Sequence, residues 1–237
     1  VIVSIKNGGG IRASIGTFSS PGPNGEVDEL PPQPDGAVSA LDIGNALRFN
    51  NSLIALDITA EGLKAVLEHG VGGIAGATEG RFPQLGGVRF SFDQTLEVGS
   101  RVRDIALVAA DGSLIPLYDD GVLVEGAAAD MAITLVTLSF LATGGDGYPF
   151  LDHASNFRFL TEDGTAAATV TDGELSAEPD DILGEQQAFA DYLEEFHGTP
   201  ETAFDEEDRP VEQDTRIQNL EYREDTVLTG DVEQIRG

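Results

Sequence analysis

Two glycine clusters, each placed directly after an apolar, strand-like segment, constrain this chain more than any other feature. The first reads Asn-Gly-Gly-Gly-Ile-Arg at residues 7–12, and the second reads Phe-Leu-Ala-Thr-Gly-Gly-Asp-Gly-Tyr at residues 140–148. Glycine permits positive φ angles and close approach by another chain or a ligand, at a cost in stability. Because sheets with helices place ligands in loops that follow strands, the two clusters predict one composite pocket.

The polar and aromatic side chains of these loops suggest what the pocket holds. Arg12 offers a planar guanidinium that suits phosphate or carboxylate. Asp146 can accept hydrogen bonds from hydroxyl groups, and Phe140 can stack on a flat ring. A phosphate, a sugar and a base together make a nucleotide, so the sequence predicts a nucleotide or nucleoside as the ligand.

The chain is strongly acidic, with 42 acidic residues against 13 basic ones and a formal charge of −29 over 237 residues. Nucleic-acid binding requires a basic face, so this composition argues against nucleic acid as a partner. The charge is typical of a solvated acidic surface. No apolar run approaches the roughly 18 residues of a membrane span. The lack of cysteine excludes disulfides and thiolate chemistry.

Strand and helix signals alternate irregularly along the chain. Thr59 is a plausible N-cap for a helix that closes at Gly70, and Asp-Gly at residues 111–112 predicts a hairpin between 101–109 and 113–117. Because hairpins and helices are mixed, we predict an α+β fold with mixed sheets layered with helices, not a doubly wound sheet. Further strands are expected at 1–5, 52–58, 88–93, 132–140 and 215–222, and helices at 37–47 and 183–196.

Other motifs of catalysis and metal binding are missing or incomplete. The first glycine cluster is not followed by Gly-Lys-Ser/Thr, so it is not a P-loop. Gly-Gly-Asp-Gly at residues 144–147 superficially resembles a calcium-binding repeat, but that motif needs several tandem copies, and Pro149 stands where its aspartate should be. His69, His153 and His197 lack metal-ligand spacing, and no Gly-x-Ser-x-Gly motif occurs. We therefore predict no metal site and no catalytic residue within this chain.

Two phenylalanines, Phe49 and Phe140, each lie at the edge of a turn, and the residues alone leave two interpretations open. A single phenylalanine usually belongs to the core of a protein. Two aromatic rings on either side of a gap would instead clamp a flat base.

The motifs also occur in the order and at the separations of a known family. The chain resembles the C-terminal substrate-binding domain of the 5′-nucleotidases, which are metal-dependent hydrolases of nucleotides. The resemblance is carried by the two glycine clusters, by Arg-Phe-Asn-Asn at 48–51, by Leu-Glu-His-Gly at 67–70 and by Gly-Gly-Val-Arg-Phe-Ser-Phe-Asp at 86–93. It implies a 5′-nucleotidase C-terminal domain-like fold over residues 1–222, with a proline-rich loop at 18–36 and a frayed tail at 223–237.

The resemblance implies roles for individual residues. Phe49 and Phe140 resemble the two phenylalanines that sandwich the base, and Asn7 resembles the asparagine near the base and ribose. Arg12 resembles the arginine that reaches the phosphate and ribose, and Asp146 resembles the aspartate that accepts from ribose hydroxyls. The implied substrate-binding residues are Asn7, Gly9, Arg12, Phe49, Phe140, Gly145 and Asp146.

In that family a separate N-terminal metallophosphatase domain carries two divalent metal ions, expected to be Zn or Mn, and the catalytic residues. The resemblance therefore implies that this chain binds a nucleoside monophosphate or nucleoside, and that by itself it holds no cofactor and hydrolyses nothing. It also implies a bacterial parent protein in the periplasm or outside the cell. The opening Val-Ile-Val indicates that the chain is a fragment of this parent.

Two alternatives stay open at this point. The first is a non-catalytic binding or adhesion module on the same scaffold, which the acidic surface and the proline-rich loop motivate. The second is a parent enzyme that acts on cyclic nucleotides or sugar-nucleotide diphosphates.

Overall fold

The computed structural model of the protein describes residues 2–15, 36–73, 79–126, 131–204 and 210–230. Nearly all of the proline-rich loop predicted at residues 18–36 lies outside these ranges, as do residues 231–237 of the predicted tail. The strands within these ranges are β1 (Ile2–Asn7), β2 (Leu53–Ile58), β3 (Pro83–Gly86), β4 (Val88–Phe92), β5 (Val102–Val108), β6 (Leu114–Asp119), β7 (Val122–Leu123), β8 (Ile133–Leu138), β9 (Ala154–Thr161), β10 (Gly164–Ala167), β11 (Val170–Thr171), β12 (Glu174–Leu175) and β13 (Ile217–Asn219). The helices are α1 (Ala40–Ala46), α2 (Ala60–Gly70), α3 (Ser139–Ala142), α4 (Phe150–His153) and α5 (Glu185–His197).

The larger sheet has six strands in the order β10-β9-β2-β8-β1-β3. Strands β1 and β8 are parallel neighbours, with Ser4 opposite Val136. Strand β2 runs antiparallel to β8, with Leu53 opposite Leu138. The end of β1, the end of β8 and the start of β2 therefore meet at one edge of the sheet. This edge, called the site edge below, brings both glycine clusters and the turn at residues 48–51 together.

A second sheet has five strands in the order β13-β4-β5-β6-β7. The β5–β6 hairpin and the strand at residues 88–92 confirm the predictions made from their turn signal and alternation. One buried apolar cluster contains residues of both sheets and of α2, among them Ile5, Leu56, Leu67 and Phe90. The mixed sheets packed with helices confirm the predicted α+β class.

Helix α2 begins and ends where the sequence predicted. The Thr59 hydroxyl accepts a hydrogen bond from the Gly62 amide at 3.1 Å, which satisfies one of the free N–H groups of the first turn. Leu63, Val66 and Leu67 are fully buried on one face of the helix. The predicted helices at 37–47 and 183–196 correspond to α1 and α5.

The apolar run at residues 132–140 is not one continuous strand, so the prediction of a strand through Phe140 was wrong. Strand β8 ends at Leu138, and residues 139–142 form the short helix α3. An apolar run is compatible with either structure, and here Leu141 and Ala142 are fully buried from helical positions. Phe140 consequently projects from a helical turn that follows the strand.

Two hairpins between residues 154 and 175 were not predicted, although each carries an Asp-Gly turn signal. Strands β9 and β10 extend the six-stranded sheet, and β11 and β12 form a separate two-stranded ribbon. Strand β13, expected within residues 215–222, pairs in parallel with β4. Residues 223–230 were expected to fray. Val227 is instead buried, and its amide donates to Ser91 Oγ at 2.9 Å.

An ion pair on the six-stranded sheet gives a pH-dependent prediction for stability. Hydrogen bonds from Arg158 (2.8 Å) and then Asn156 (2.7 Å) lower the pKa of Asp57 below its ordinary 3.8. A carboxylate with a lowered folded-state pKa stabilises the fold above the unfolded pKa and loses that contribution as pH falls through the folded value. We therefore expect Asp57→Asn to lower the free energy of unfolding at pH 6 by about 1 kcal/mol or less. The melting temperature should fall accordingly.

A comparison of the wild type and Asp57→Asn at acidic pH tests whether the ion pair causes this difference in stability. The difference between the wild type and Asp57→Asn should shrink as the pH falls below 3.8. Thermal unfolding followed by circular dichroism from pH 6 to pH 2 measures it. A difference that stays constant across this range would show that the ion pair is not its source.

Candidate functional site

The first glycine cluster leaves the site edge as a tight turn pressed against residues 80–82. The amides of Gly8 and Gly9 donate to the carbonyl oxygens of Phe82 (2.8 Å) and Gly80 (2.7 Å). A Cβ atom on Gly9 would lie 2.9 Å from the Gly80 Cα, so this close backbone approach requires glycine. The Gly9 amide is thus bonded within the protein, and the residue shapes the loop rather than offering its amide to a ligand.

A hydrogen bond joins the two glycine clusters directly. Asn7, the last residue of β1, donates from Nδ2 to Asp146 Oδ2 at 2.6 Å. Asn7 is only 5% exposed, and its Oδ1 is buried with no hydrogen-bond partner in the described part of the chain. A buried acceptor left unpaired is costly, so this oxygen is suited to a donor supplied by a ligand at the site edge.

The second glycine cluster holds Asp146 in an uncommon backbone conformation. Asp146 has φ of +52°, and the His69 ring donates from Nε2 to its carbonyl oxygen at 2.8 Å. The Tyr148 ring packs edge-on against His69 with centroids 5.0 Å apart, and its hydroxyl donates to the Arg81 carbonyl at 2.6 Å. Burial raises the pKa of Tyr148, so the phenol stays a neutral donor. Asp146 therefore carries an exposed carboxylate on a backbone fixed by its neighbours.

Sequence reasoning had treated His69 only as a potential metal ligand and had assigned it no role in the site. Its position in the Leu-Glu-His-Gly phrase at residues 67–70 was the available signal. The helix that contains His69 lies far from residue 146 in sequence, and only the fold shows the contact.

Arg12 and Phe49 form a second group at the same edge. Arg12 extends across the turn, with Nη1 donating to the Gly9 carbonyl at 3.1 Å and its amide donating to the Ala46 carbonyl at 2.8 Å. Its guanidinium carbon lies 6.0 Å from the centre of the Phe49 ring, within the range of a cation–π contact. Phe49 is 61% exposed, so it does not lie in the core, which was one of the two interpretations left open by the sequence.

Phe140 is the other exposed aromatic residue of the site, at 44%. Its ring packs on the backbone of Gly145, where a Cβ atom would lie 2.6 Å from two ring carbons. Gly145 therefore makes room for the ring. Phe140 and Phe49 have no ring-to-ring contact in the described part of the chain. The predicted residues thus form three contacting groups at the site edge. Asn7 contacts Asp146, Arg12 contacts both Gly9 and Phe49, and Gly145 contacts Phe140.

An apolar cavity of about 630 Å³ lies under α1 and α5 beside these groups. Ile11, Leu47, Leu53 and Phe189 are among its lining residues, and Phe49, Phe140 and Asp146 are not. The three side chains with the clearest ligand chemistry therefore stand outside this cavity, on the open surface of the site edge.

The described residues contain no group of three or more His, Cys, Asp or Glu side chains that could hold a metal ion. Within those same ranges, no helix combines the length and apolarity needed to cross a bilayer. The arrangement at the site edge can bind through hydrogen bonds, charge and stacking.

Comparison with known families identifies the family of this chain. The family profile described as the 5′-nucleotidase C-terminal domain matches residues 1–153, and the chain belongs to that family. The matched region contains both glycine clusters, Phe49 and His69.

Several curated relatives match the same part of the chain. The trifunctional nucleotide phosphoesterase of Bacillus subtilis is 26% identical over 154 residues, which is 65% of this chain and 8% of that protein. The venom 5′-nucleotidase of Macrovipera lebetinus is 29% identical over 153 residues, which is 64% of this chain and 32% of the relative. The human 5′-nucleotidase is 26% identical over 151 residues, 64% of this chain and 22% of the relative. This chain therefore spans less than a third of the length of each of these proteins.

Solved structures show the same fold. The 5′-nucleotidase precursor of Thermus thermophilus superposes with a TM-score of 0.56 at 24% identity, covering 92% of this chain and 31% of that one. The NAD nucleotidase of Haemophilus influenzae superposes with a TM-score of 0.52 at 20% identity, covering 82% and 27%. The shared fold extends beyond residue 153, because the superposition with the Thermus thermophilus structure covers 92% of this chain.

Proposed function

We propose that this chain is the substrate-binding domain of a 5′-nucleotidase-type phosphohydrolase and that it binds a nucleoside monophosphate or nucleoside at the site edge. The observation that carries the proposal is the hydrogen bond between Asn7 and Asp146. It joins the two glycine clusters and holds the exposed Asp146 carboxylate beside a buried amide oxygen that has no hydrogen-bond partner among the described residues. Membership of the 5′-nucleotidase C-terminal domain family supports the same proposal.

Each predicted residue has a role that fits its surroundings. The Asp146 carboxylate accepts from the ribose hydroxyls, and Asn7 Oδ1 accepts a donor from the ribose or the base. Arg12 binds the phosphate through its guanidinium, which the hydrogen bond from Nη1 to the Gly9 carbonyl holds over the turn. Phe49 and Phe140 stack on the two faces of the base, a contact that tolerates different bases. Gly9 and Gly145 make these positions possible by allowing close packing.

The hydrolytic step belongs, in this proposal, to a metal-dependent domain elsewhere in the protein. The described residues offer no metal cluster, so we assign the two divalent ions, Zn or Mn, to that domain. The names of the relatives support hydrolase activity for the whole protein. Export to the periplasm or cell exterior is part of the same proposal, supported by the precursor form of the Thermus thermophilus relative. The isolated chain is expected to bind without hydrolysis.

A wider choice of phosphoester substrates is the second candidate. One relative is named a trifunctional nucleotide phosphoesterase, and one structural neighbour is named an NAD nucleotidase. An open, aromatic base site would accept cyclic nucleotides or nucleotide diphosphates as well, because stacking does not depend on the number of phosphates.

Titration of the chain with AMP and adenosine tests the proposal. We expect measurable binding of both ligands, and we expect Phe140→Ala to weaken it roughly 5- to 150-fold, since one base–aromatic stack contributes about 1–3 kcal/mol. Isothermal calorimetry or NMR shift mapping gives the affinities.

Phe196→Ala is the matched control for this titration. Phe196 is also an exposed phenylalanine, at 59%, but it lies at the opposite end of α5 from the site edge. Its loss should leave AMP affinity unchanged. Absence of AMP binding at millimolar concentration, or equal losses in the two variants, would contradict the proposal.

A further inference from the structure

The turn that carries Phe49 is held by the first residue of α5. Glu185 Oε1 accepts hydrogen bonds from the backbone amide of Asn51 at 2.9 Å and from Asn51 Nδ2 at 3.0 Å. The Glu185 amide in turn donates to the Asn51 carbonyl at 3.0 Å. Three hydrogen bonds thus fix the residue that lies two positions after Phe49.

The next residue of α5 holds the turn on its other side. Gln186 Nε2 donates to the Leu47 carbonyl at 2.9 Å, and the Gln186 amide donates to Asn50 Oδ1 at 3.2 Å. Asn50 has φ of +44°, a conformation that asparagine tolerates better than most residues. The backbone of the turn is therefore bonded to α5 both before and after Phe49.

The same carboxylate also reaches the first glycine cluster. Glu185 Oε2 forms an ion pair with Lys6, whose neighbour in the chain is Asn7. The Glu185 side chain is only 5% exposed, whereas Lys6 is 21% exposed. A carboxylate this deeply buried is stable only when both of its oxygens have partners, and here each one does.

Phe49 itself has little packing to hold it in place. Its ring is mostly exposed, and among the described residues it contacts the guanidinium of Arg12 at the distance of a cation–π contact. The position of the ring is consequently set by the backbone of the turn. That backbone depends on the hydrogen bonds from residues 185 and 186.

We propose that Glu185 is a positioning residue for base stacking: it fixes the turn at residues 48–51 so that Phe49 stands at the site edge. This inference rests on the proposed function. It deepens that function, because Glu185 lies outside residues 1–153, the part of the chain that matches the family profile. A residue outside the region matched by the family profile therefore sets the geometry of the base site.

The test compares a ligand that has a base with one that lacks it. In the 237-residue chain, Glu185→Ala should weaken AMP binding by about tenfold, within the range of a lost base–aromatic stack. The affinity for ribose 5-phosphate should change less than about twofold, since that ligand has no base to stack. Calorimetry for AMP and NMR titration for ribose 5-phosphate provide the two values. A role in general stability would lower both affinities together.

Three further variants make the result specific. Glu185→Gln keeps an acceptor oxygen for the Asn51 donors and should recover most of the lost AMP affinity. Glu178→Ala is the matched control, since Glu178 accepts from Ser52 Oγ at 2.7 Å beside the turn but does not contact Asn51. It should bind AMP like the wild type. In a Phe49→Ala background, Glu185→Ala should have no additional effect on AMP, because neighbouring sites that act through one contact are not additive.

Defined outcomes would overturn the inference. If Glu185→Ala weakens AMP and ribose 5-phosphate equally, or weakens AMP further in the Phe49→Ala background, Glu185 does not act through Phe49. If Glu185→Ala fails to fold, Asn51→Ala replaces it in the same cycle, since it removes one hydrogen bond without leaving a buried charge unpaired. Suppose that the wild-type chain binds AMP and that Phe49→Ala weakens this binding. If the losses from Glu185→Ala (or Asn51→Ala) and Phe49→Ala are then additive, this inference is refuted and the proposed function stands. Wild-type chain that does not bind AMP would refute both.

Discussion

Replacement of Asp146 by alanine is expected to weaken AMP binding by about 10- to 100-fold. The carboxylate is the only charged acceptor that the second glycine cluster brings to the site edge within the described residues, and Asn7 orients it through a 2.6 Å hydrogen bond. Hydrogen bonds to a charged group contribute about 1.5–3 kcal/mol, and each 1.4 kcal/mol is tenfold in affinity. Calorimetric titration of the wild type and the variant with AMP measures the difference.

The ligand that lacks the ribose hydroxyls separates a direct contact from a general disturbance. The wild type should bind 2′,3′-dideoxy-AMP much more weakly than AMP, and Asp146→Ala should bind the two with similar affinity. Asp152→Asn serves as the control, because Asp152 is exposed on α4 a few residues further on and has no place in the site. If Asp146→Ala still discriminates between the two nucleotides, the carboxylate does not contact the ribose.

The backbone conformation of Asp146 makes asparagine the better second replacement at this position. Asp146 has φ of +52°, a region that asparagine and glycine tolerate and alanine does not. Asp146→Asn keeps this conformation and removes only the charge. It should therefore lose AMP affinity without the small loss of thermal stability expected for Asp146→Ala.

The parts of the site that the sequence predicted are those encoded within a single loop. Asn7 and Asp146 carry their chemistry in glycine clusters that are recognisable without a structure, and an apolar strand directly before each cluster indicated an edge of a sheet. Their contact follows from the parallel pairing of β1 with β8, which places both loops at the same edge.

The parts that were missed depend on pairs of residues far apart in the chain. Glu185 contacts Asn51 across 134 positions, and neither residue has a spacing or composition that links it to the other. The same limit applies to His69, whose ring reaches the Asp146 carbonyl across 77 positions. The strand prediction that ran through Phe140 failed for a local reason, because an apolar run fits a buried strand and a buried helical turn equally well.

Each residue of the Leu-Glu-His-Gly phrase at residues 67–70 has a different role in the structure. Leu67 is fully buried in the core, and His69 holds Asp146. A Cβ atom on Gly70 would lie 2.9 Å from the Pro83 Cδ, so the helix can pass β3 only with glycine there. Of the four residues, Glu68 makes the most hydrogen bonds to other elements. It thereby fixes the end of α2, where His69 lies.

Glu68 joins α2 to β5 through a buried carboxylate. Its Oε2 accepts from the Arg101 amide at 3.0 Å, and its Oε1 accepts from the Val102 amide at 2.9 Å and pairs with Lys64 at 2.7 Å. The Arg101 guanidinium in turn donates to the carbonyl of Val71 at 2.6 Å. The carboxylate thus accepts hydrogen bonds from two backbone amides at the start of β5.

We expect Glu68→Ala to lower the free energy of unfolding by about 3 kcal/mol, since it leaves two buried amides without acceptors at about 1–3 kcal/mol each. In a domain of this size that corresponds to a melting temperature lower by about 6–12 °C. The two amides use different oxygens of the carboxylate. Glu68→Gln offers one oxygen and should therefore lose about half as much. Thermal unfolding followed by circular dichroism gives all three values.

Glu61→Gln is the control for this series, because Glu61 lies on the same helix with its side chain exposed. Its melting temperature should stay within about 2 °C of the wild type, as surface substitutions usually change stability by no more than about 0.5 kcal/mol. Equal melting temperatures for Glu68→Ala and Glu61→Gln would mean that the α2–β5 contact is not a source of stability. Because His69 follows Glu68 directly, Glu68→Ala should also weaken AMP binding in the folded protein, and through the ribose contact of Asp146 rather than through the base.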